Sequence, residues 1–393
     1  MTNVVGGESP SRLEGKLSAM IVCWILGFGS LISWNSMLTI GDYYYNLFPD
    51  YHPSRVLTLV YQPFAFGTML ILAYNESKIN TRRRNIFGYS LFVAITFMLL
   101  VLDLATSGRG GLGSFICICV IFAFFGVSDA CVQGGIVGDL SFMLPDFIQS
   151  FFAGMAASGA LTSALRLITK AAFNNGLRKG AMLFLAISTL FEFLSVLLYA
   201  YFFPRLPIVK YFRSKAALEG SKTVQADLEA AGIQIKEDHH EQNERLSNKQ
   251  LFIQNVDYAL DMFLIYVLTL YPPVLIACDN VWNLISRYLL LVKFLKIESR
   301  KGLTIAILSR FLLIPAFYFT AKYGDQGWMI LLVSFLGLTN GHLTICVMTA
   351  APKGYKGPEQ NALGNIVVLC LLIGIFAGVS LDWLWFIGKK NAF

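Results

Sequence analysis

Eight side chains in this 393-residue chain combine a chemically capable type with an apolar setting: Trp34, Asp129, Gln133, Arg166, Glu192, Asn283, Arg287 and His342. A charge in the middle of a membrane-length apolar run costs roughly 3 kcal/mol on insertion scales, so each such residue needs a reason to be there. Trp34 and Asn35 close the run GFGSLISWN. Asp129, Gln133 and Asp139 lie in VSDACVQGGIVGD, and the spacing of four puts Asp129 and Gln133 on one helix face. Asn280, Asn283 and Arg287 follow at spacings of three and four, giving a stripe of amides and a guanidinium. Such a stripe suits a neutral solute that hydrogen-bonds. Arg166 is placed to meet Asp129 or Asp139, as a structural ion-pair partner or a gate. Glu192 reads as a paired structural acid, or else as a carboxylate in a proton path. His342, in TNGHL, reads as an interhelical hydrogen bond before it reads as a proton carrier. Asp139, close to Leu144 and Pro145, reads as an interfacial charge.

Enzyme signatures are missing, and the chain reads as a non-enzyme that needs no cofactor. Gly108 to Gly113 spells GRGGLG, but no strand precedes it, so the dinucleotide-loop reading fails. HExxH does not occur, and neither IVGD nor KYGD completes an intramembrane-protease signature. The seven cysteines (Cys23, Cys117, Cys119, Cys131, Cys278, Cys346 and Cys370) all lie in apolar segments without CxxC spacing. They read as packed thiols, with no metal site or disulfide.

These residues need helices in a bilayer to position them. Hydrophobic residues make up 56% of the chain and charged ones only 14%. A soluble domain would carry roughly 25% charged residues. Spans are expected near 18–40, 56–75, 86–106, 114–142, 147–172 and 181–203, and again near 303–321, 328–350 and 361–387. This divides the chain into a cytosolic tail (1–17), a six-helix bundle (18–203), a cytosolic loop, partly helical or disordered (204–253), and a second bundle (254–393). The net charge of +7 sits mainly in loops, which makes it a topology signal and not a nucleic-acid patch. Lys78, Arg82, Arg83 and Arg84, the long loop, and Lys353 with Lys356 all point to a cytosolic N-terminus. Small residues recur four apart (Gly134 and Gly138, Gly154 and Ser158, Gly159 and Ser163, Gly374 and Gly378), as in helices that pack closely without water to drive burial.

One stretch resists this layout. Residues 255–292 have basic flanks on both sides, so the chain should cross an even number of times between them. Two crossings need roughly 20 residues each plus a turn. The stretch barely allows two crossings, and Pro272 and Pro273 lie in its middle.

Several motifs then line up: GSLISWN at Gly29–Asn35, VQGGIVG at Val132–Gly138, AGMAASG at Ala153–Gly159, NxxNLxSR at Asn280–Arg287, SRFLLIP at Ser309–Pro315, TNGHL at Thr339–Leu343 and PEQNALG at Pro358–Gly364. In that order they resemble the equilibrative nucleoside transporters, in the wording of the plant branch. The resemblance implies an all-α polytopic membrane protein, a major-facilitator-like two-bundle transporter of 6+5 spans working by alternating access. It implies that Trp34 lines a nucleoside site, Gln133 bonds the nucleobase, and Asn283 and Arg287 serve the ribose region. The partners implied are the lipid bilayer and nucleosides such as adenosine and uridine, with transport facilitative and the plasma membrane the expected location. Two departures stand out. Asn283 replaces an Asp of the family and Ser286 a Gly, and the chain is short of the family's length between spans seven and eight. Two other readings follow: a proton-coupled carrier using Asp129, Glu192 or His342, and a shortened isoform that only associates with partners.

Overall fold

A computed structural model describes residues 15–172, 176–233, 245–268, 276–289 and 295–386, and the described residues are almost entirely helical. The helices are α1 (Lys16–Thr39), α2 (Gly41–Leu47), α3 (Pro53–Tyr74), α4 (Thr81–Thr106), α5 (Leu112–Ser141), α6 (Pro145–Ala172), α7 (Leu177–Leu197), α8 (Pro207–Leu218), α9 (Gln225–Ala230), α10 (Asn248–Gln254), α11 (Val256–Val267), α12 (Ile276–Tyr288), α13 (Arg300–Ser309), α14 (Leu313–Tyr323), α15 (Gln326–Ala350) and α16 (Gly357–Phe386). Among the described residues nine helical stretches are long and apolar enough to cross a membrane, α13 and α14 making one of them together. The chain is a multi-pass membrane protein.

Local chemistry sets where these helices begin. The Asn80 side chain accepts from the Arg83 amide at the start of α4, and Asp325 does the same for Trp328 at the start of α15. Each satisfies an amide that the first turn would otherwise leave open. Gly324 ends α14 in the left-handed conformation. A side chain there would be strained.

Helix α1 packs chiefly on α6, α3 and α4 on α5, and α7 on α1 and α4. Helix α12 lies against α15 and α6, and α16 against α11, α5 and α3. The second group therefore meets the first along two seams, α12 on α6 and α16 on α3 and α5. At the α1–α6 crossing a Cβ on Gly154 would sit 1.9 Å from the Trp24 carbonyl oxygen, and one on Gly27 would sit 1.9 Å from that of Phe151. Both obstacles are backbone, so neither can rotate away. Gly154→Ala is expected to cost about 1–3 kcal/mol of stability through overpacking, read as earlier thermal unfolding in detergent.

The described residues of the 255–292 stretch include two short helices. At about 1.5 Å per residue α11 and α12 are each about 18–20 Å long, against a hydrocarbon core of about 30 Å. Pro272 and Pro273 lie outside the described residues. The two ends of the pair nevertheless meet. Arg300 binds Asp257 at 3.1 Å, and Lys353 binds Glu298 at 3.7 Å. Asn248, just before the pair, donates to the Ala73 carbonyl at the α3–α4 connection. Both flanks are therefore on one side of the molecule, as their charges require.

The basic loop closes that same side. Arg213 on α8 is fully buried and holds Asp139 at 2.5 Å and Asp227 at 3.4 Å, while Arg82 reaches Asp227 at 3.5 Å. The sequence suggests an interfacial charge for Asp139. It is instead sealed, because α8 folds back over the end of α5. The Asp227 carboxyl is raised to about 6: burial is the main cause, Asp139 adds to it, and Arg213 and Arg82 oppose it. A carboxyl raised in this way contributes stability that is complete below its unfolded value and lost as pH rises through about 6. Thermal stability should therefore increase as pH falls from about 7.5 to about 5, and Asp227→Asn should flatten that change.

Candidate functional site

The N-terminal part of the site is built on three helices. The Trp34 ring on α1 stacks on the Tyr61 ring of α3 with centroids 4.2 Å apart, and Phe122 on α5 meets Trp34 edge-on at 6.2 Å. The Tyr61 hydroxyl donates to Asp129 Oδ2 at 2.5 Å, and the Gln133 amide nitrogen donates to Asp129 Oδ1 at 2.6 Å. The four-residue spacing thus produces a direct bond, and an aromatic surface is coupled to an amide through one carboxylate. Sequence reasoning does not single out Tyr61. Its signal is the YQP triplet inside a span, where Pro63 removes a helix hydrogen bond beside the buried Gln62.

The C-terminal part lies on α12. Arg287 is buried, with its Nε donating to Asn283 Oδ1 at 3.0 Å and an Nη to the Phe152 carbonyl on α6 at 2.6 Å. The guanidinium also lies over the Phe152 ring, 5.2 Å from its centroid. Gln149 donates to the Arg287 carbonyl at 2.7 Å, and the Trp24 indole donates to the Tyr288 hydroxyl at 3.1 Å. Ser286, where the family pattern has Gly, fits because Gly341 on α15 faces it: a Cβ there would lie 2.0 Å from the Ser286 oxygen.

No hydrogen bond among the described residues joins Trp34 or Gln133 to Asn283 or Arg287. The two parts are nonetheless level in the bundle. Gln133 lies about two turns before the end of α5 and Phe152 about two turns after the start of α6. Two turns span roughly 11 Å, so each sits at a similar distance from the connection the two helices share.

The other polar residues fall elsewhere. Arg166 meets neither Asp129 nor Asp139 and pairs with Asp42 at 2.6 Å. The reason is depth. Arg166 lies nearly six turns along α6, whereas Asp139 is at the opposite end of the antiparallel α5. Six turns separate the two by roughly 30 Å, far beyond the reach of an ion pair. Glu192 on α7 accepts from Ser33 and Thr96, and its Oε2 is buried without a partner. His342 Nε2 bonds the Leu295 carbonyl at 3.0 Å, tying α15 to the segment before α13. Asn35 donates to Ser158 at 2.7 Å, linking α1 to α6.

The α16 seam is tied on the side covered by the loop. Arg84 donates to Asn365 at 2.7 Å, Asn361 donates to Glu76 at 2.6 Å, and Arg245 binds the other Glu76 oxygen at 2.7 Å. Burial raises the Glu76 carboxyl, with Arg245 and then Arg84 pulling it back.

Solved structures match this architecture at low sequence identity. The proton:xylose symporter XylE of the major facilitator superfamily matches with a TM-score of 0.63 at 12% identity, over 97% of this chain and 90% of the symporter. A bacterial homologue of the iron transporter ferroportin matches with a TM-score of 0.57 at 13% identity, over 95% and 92%. The fold is thus a major-facilitator-like two-bundle fold, 6+5, with a compressed pair in the place of spans seven and eight. Among curated proteins of Arabidopsis thaliana, equilibrative nucleotide transporter 3 is 67% identical, over 98% of both chains. Equilibrative nucleotide transporter 6 is 64% identical over 100% of both. That second alignment runs over 418 positions and this chain has 393 residues, so about 25 positions of the relative face no residue here. The family model described as Nucleoside transporter matches residues 116–271 and 266–387 as two pieces, with the break at the end of α11. With these matches spanning the sequence, the chain belongs to the nucleoside transporter family.

Proposed function

We propose that this chain is a facilitative carrier that moves purine and pyrimidine nucleosides, adenosine and uridine among them, by alternating access across the plasma membrane, with its N-terminus in the cytosol. The observation that carries this reading is the stacked Trp34–Tyr61 pair beside an amide held on Asp129. An aromatic face suits the plane of a base, and an amide suits its edge. Arg287 and Asn283, on the opposing bundle and at the same depth, supply donors and an acceptor for ribose hydroxyls. A substrate bridging the two would couple the rocking of the bundles to its own passage. The cytosolic bonds of Arg84, Asn361 and Glu76 must then break for release. A cavity of about 250 Å³ at the seam, lined by Met143, Ile148, Lys353 and Gln360 among others, supports an exit there.

Uptake of radiolabelled adenosine and uridine in cells lacking their own carriers tests the reading, and saturable uptake is the expected outcome. Lys301→Cys should react with an impermeant thiol reagent only after permeabilisation, and labelling of intact cells would refute the orientation. Two observations favour other readings. The unpartnered Glu192 oxygen suits proton coupling, which predicts uptake that follows an imposed pH gradient. The short α11 and α12 suit a non-transporting isoform, which predicts surface expression without uptake.

A further inference from the structure

We infer that Asp129 is a positioning residue: it decides which end of the Gln133 amide faces the substrate, and so makes the carrier select bases that offer an N–H donor. The inference rests on the reading of Gln133 as the base contact. A primary amide has a donor nitrogen and an acceptor oxygen, and the neighbour that takes one leaves the other for the ligand. Both Asp129 oxygens accept, one from Gln133 and one from Tyr61. A carboxylate in that state has no donor for the Gln133 oxygen, so the amide must turn its nitrogen inward. Gln133 Oε1 accepts no hydrogen bond among the described residues, and it is not among their sealed, unpartnered atoms. It remains the available acceptor. Asp129 is 2% exposed, and its side chain bonds only this pair among the described residues, which suits an orienting role better than direct contact. Because Tyr61 also stacks on Trp34, the acceptor is held at the edge of the aromatic surface, where the rim of a stacked base would lie.

Adenine, cytosine, uracil and hypoxanthine all present an N–H on the six-membered ring. Purine riboside has the shape of adenosine without the exocyclic amine, so the two compounds isolate this bond. In the wild-type chain adenosine should have a KM about tenfold below that of purine riboside. In Asp129→Asn the ratio should fall to within about twofold, because an amide at position 129 can satisfy Gln133 in either orientation. Adding Gln133→Glu to Asp129→Asn should restore the ratio: the new asparagine donates to one carboxylate oxygen and leaves the other to accept from the base. A purely structural role for Asp129 predicts no such recovery of selectivity. An unchanged ratio in Asp129→Asn at normal surface expression overturns the inference. Should that variant not reach the surface, the double variant decides, with a wild-type ratio supporting the inference and a collapsed one overturning it. Wild-type uptake with a ratio near one overturns the inference alone. No uptake at all, or an unchanged KM in Gln133→Ala, removes the base-contact reading and the inference with it.

Discussion

Arg287→Ala is expected to lower adenosine uptake clearance, Vmax over KM, about a hundredfold at unchanged surface expression. Hydrogen bonds made by a charged group are worth about 1.5–3 kcal/mol, and about 2.7 kcal/mol is a factor of about a hundred. Truncation removes the donors proposed for ribose and also frees Asn283 from the guanidinium that orients it. It leaves the Phe152 carbonyl without its buried partner and uncovers the Phe152 ring. Arg287→Lys should recover little of the loss, because a point charge on a flexible stem cannot hold Asn283 and Phe152 together. Clearance within about twofold of wild type would mean that the guanidinium ties α12 to α6 and does not touch the substrate. If the unmutated chain shows no uptake at normal surface levels, the shortened α11–α12 pair is the expected cause. Inserting the relatives' missing segment after α11 should then restore transport, and failure to do so would place the defect elsewhere.

Arg213→Met should destabilise the folded carrier by about 3–5 kcal/mol, because it leaves the buried carboxylates of Asp139 and Asp227 without their shared cation. Asp139 and Asp227 are fully buried with Arg213, so water cannot take its place. The burial of the three holds α8 and α9 against the end of α5. Thermal unfolding in detergent is the direct measurement, and surface expression should fall with it. The triple variant Arg213→Met, Asp139→Asn, Asp227→Asn should recover much of the loss, because it removes the charges along with their partner. If the single variant unfolds at nearly the wild-type temperature, the three groups do not form a sealed ion-pair network.

The membrane spans are legible in the sequence because their apolar runs are long and uninterrupted, and hydropathy needs no tertiary information to find them. The bond between Asp129 and Gln133 is legible too, since helical spacing alone places residues four apart on one face. The same rule puts Asn283 one turn from Arg287, and the structure joins them. Spacing within one helix carries no information about depth in its neighbour. That is why the sequence places Arg166 near Asp129 or Asp139, while the structure puts it on Asp42, toward the far end of α6. Tyr61 escapes notice for the same reason: a tyrosine in an aromatic-rich span becomes distinctive only when α3 packs on α5 and brings its hydroxyl to Asp129. The loop reads as partly helical or disordered because its charges are mixed. Its role emerges only when burial selects Arg213 and Asp227 from many similar charges, since a charge is tolerated away from water only where its partners are in place.

By itself, then, the sequence determined a helical membrane protein of this family, the residues spaced along each helix, and a parity problem between residues 255 and 292. Hydrophobicity and helical periodicity are local properties, and so are readable along a single chain. The tertiary structure decided which polar groups meet, that both ends of the α11–α12 pair lie on one side, and that Trp34, Tyr61, Asp129 and Gln133 form one unit. Those outcomes depend on the depth and rotation of each helix against the next, which side-chain packing sets across residues distant in the chain.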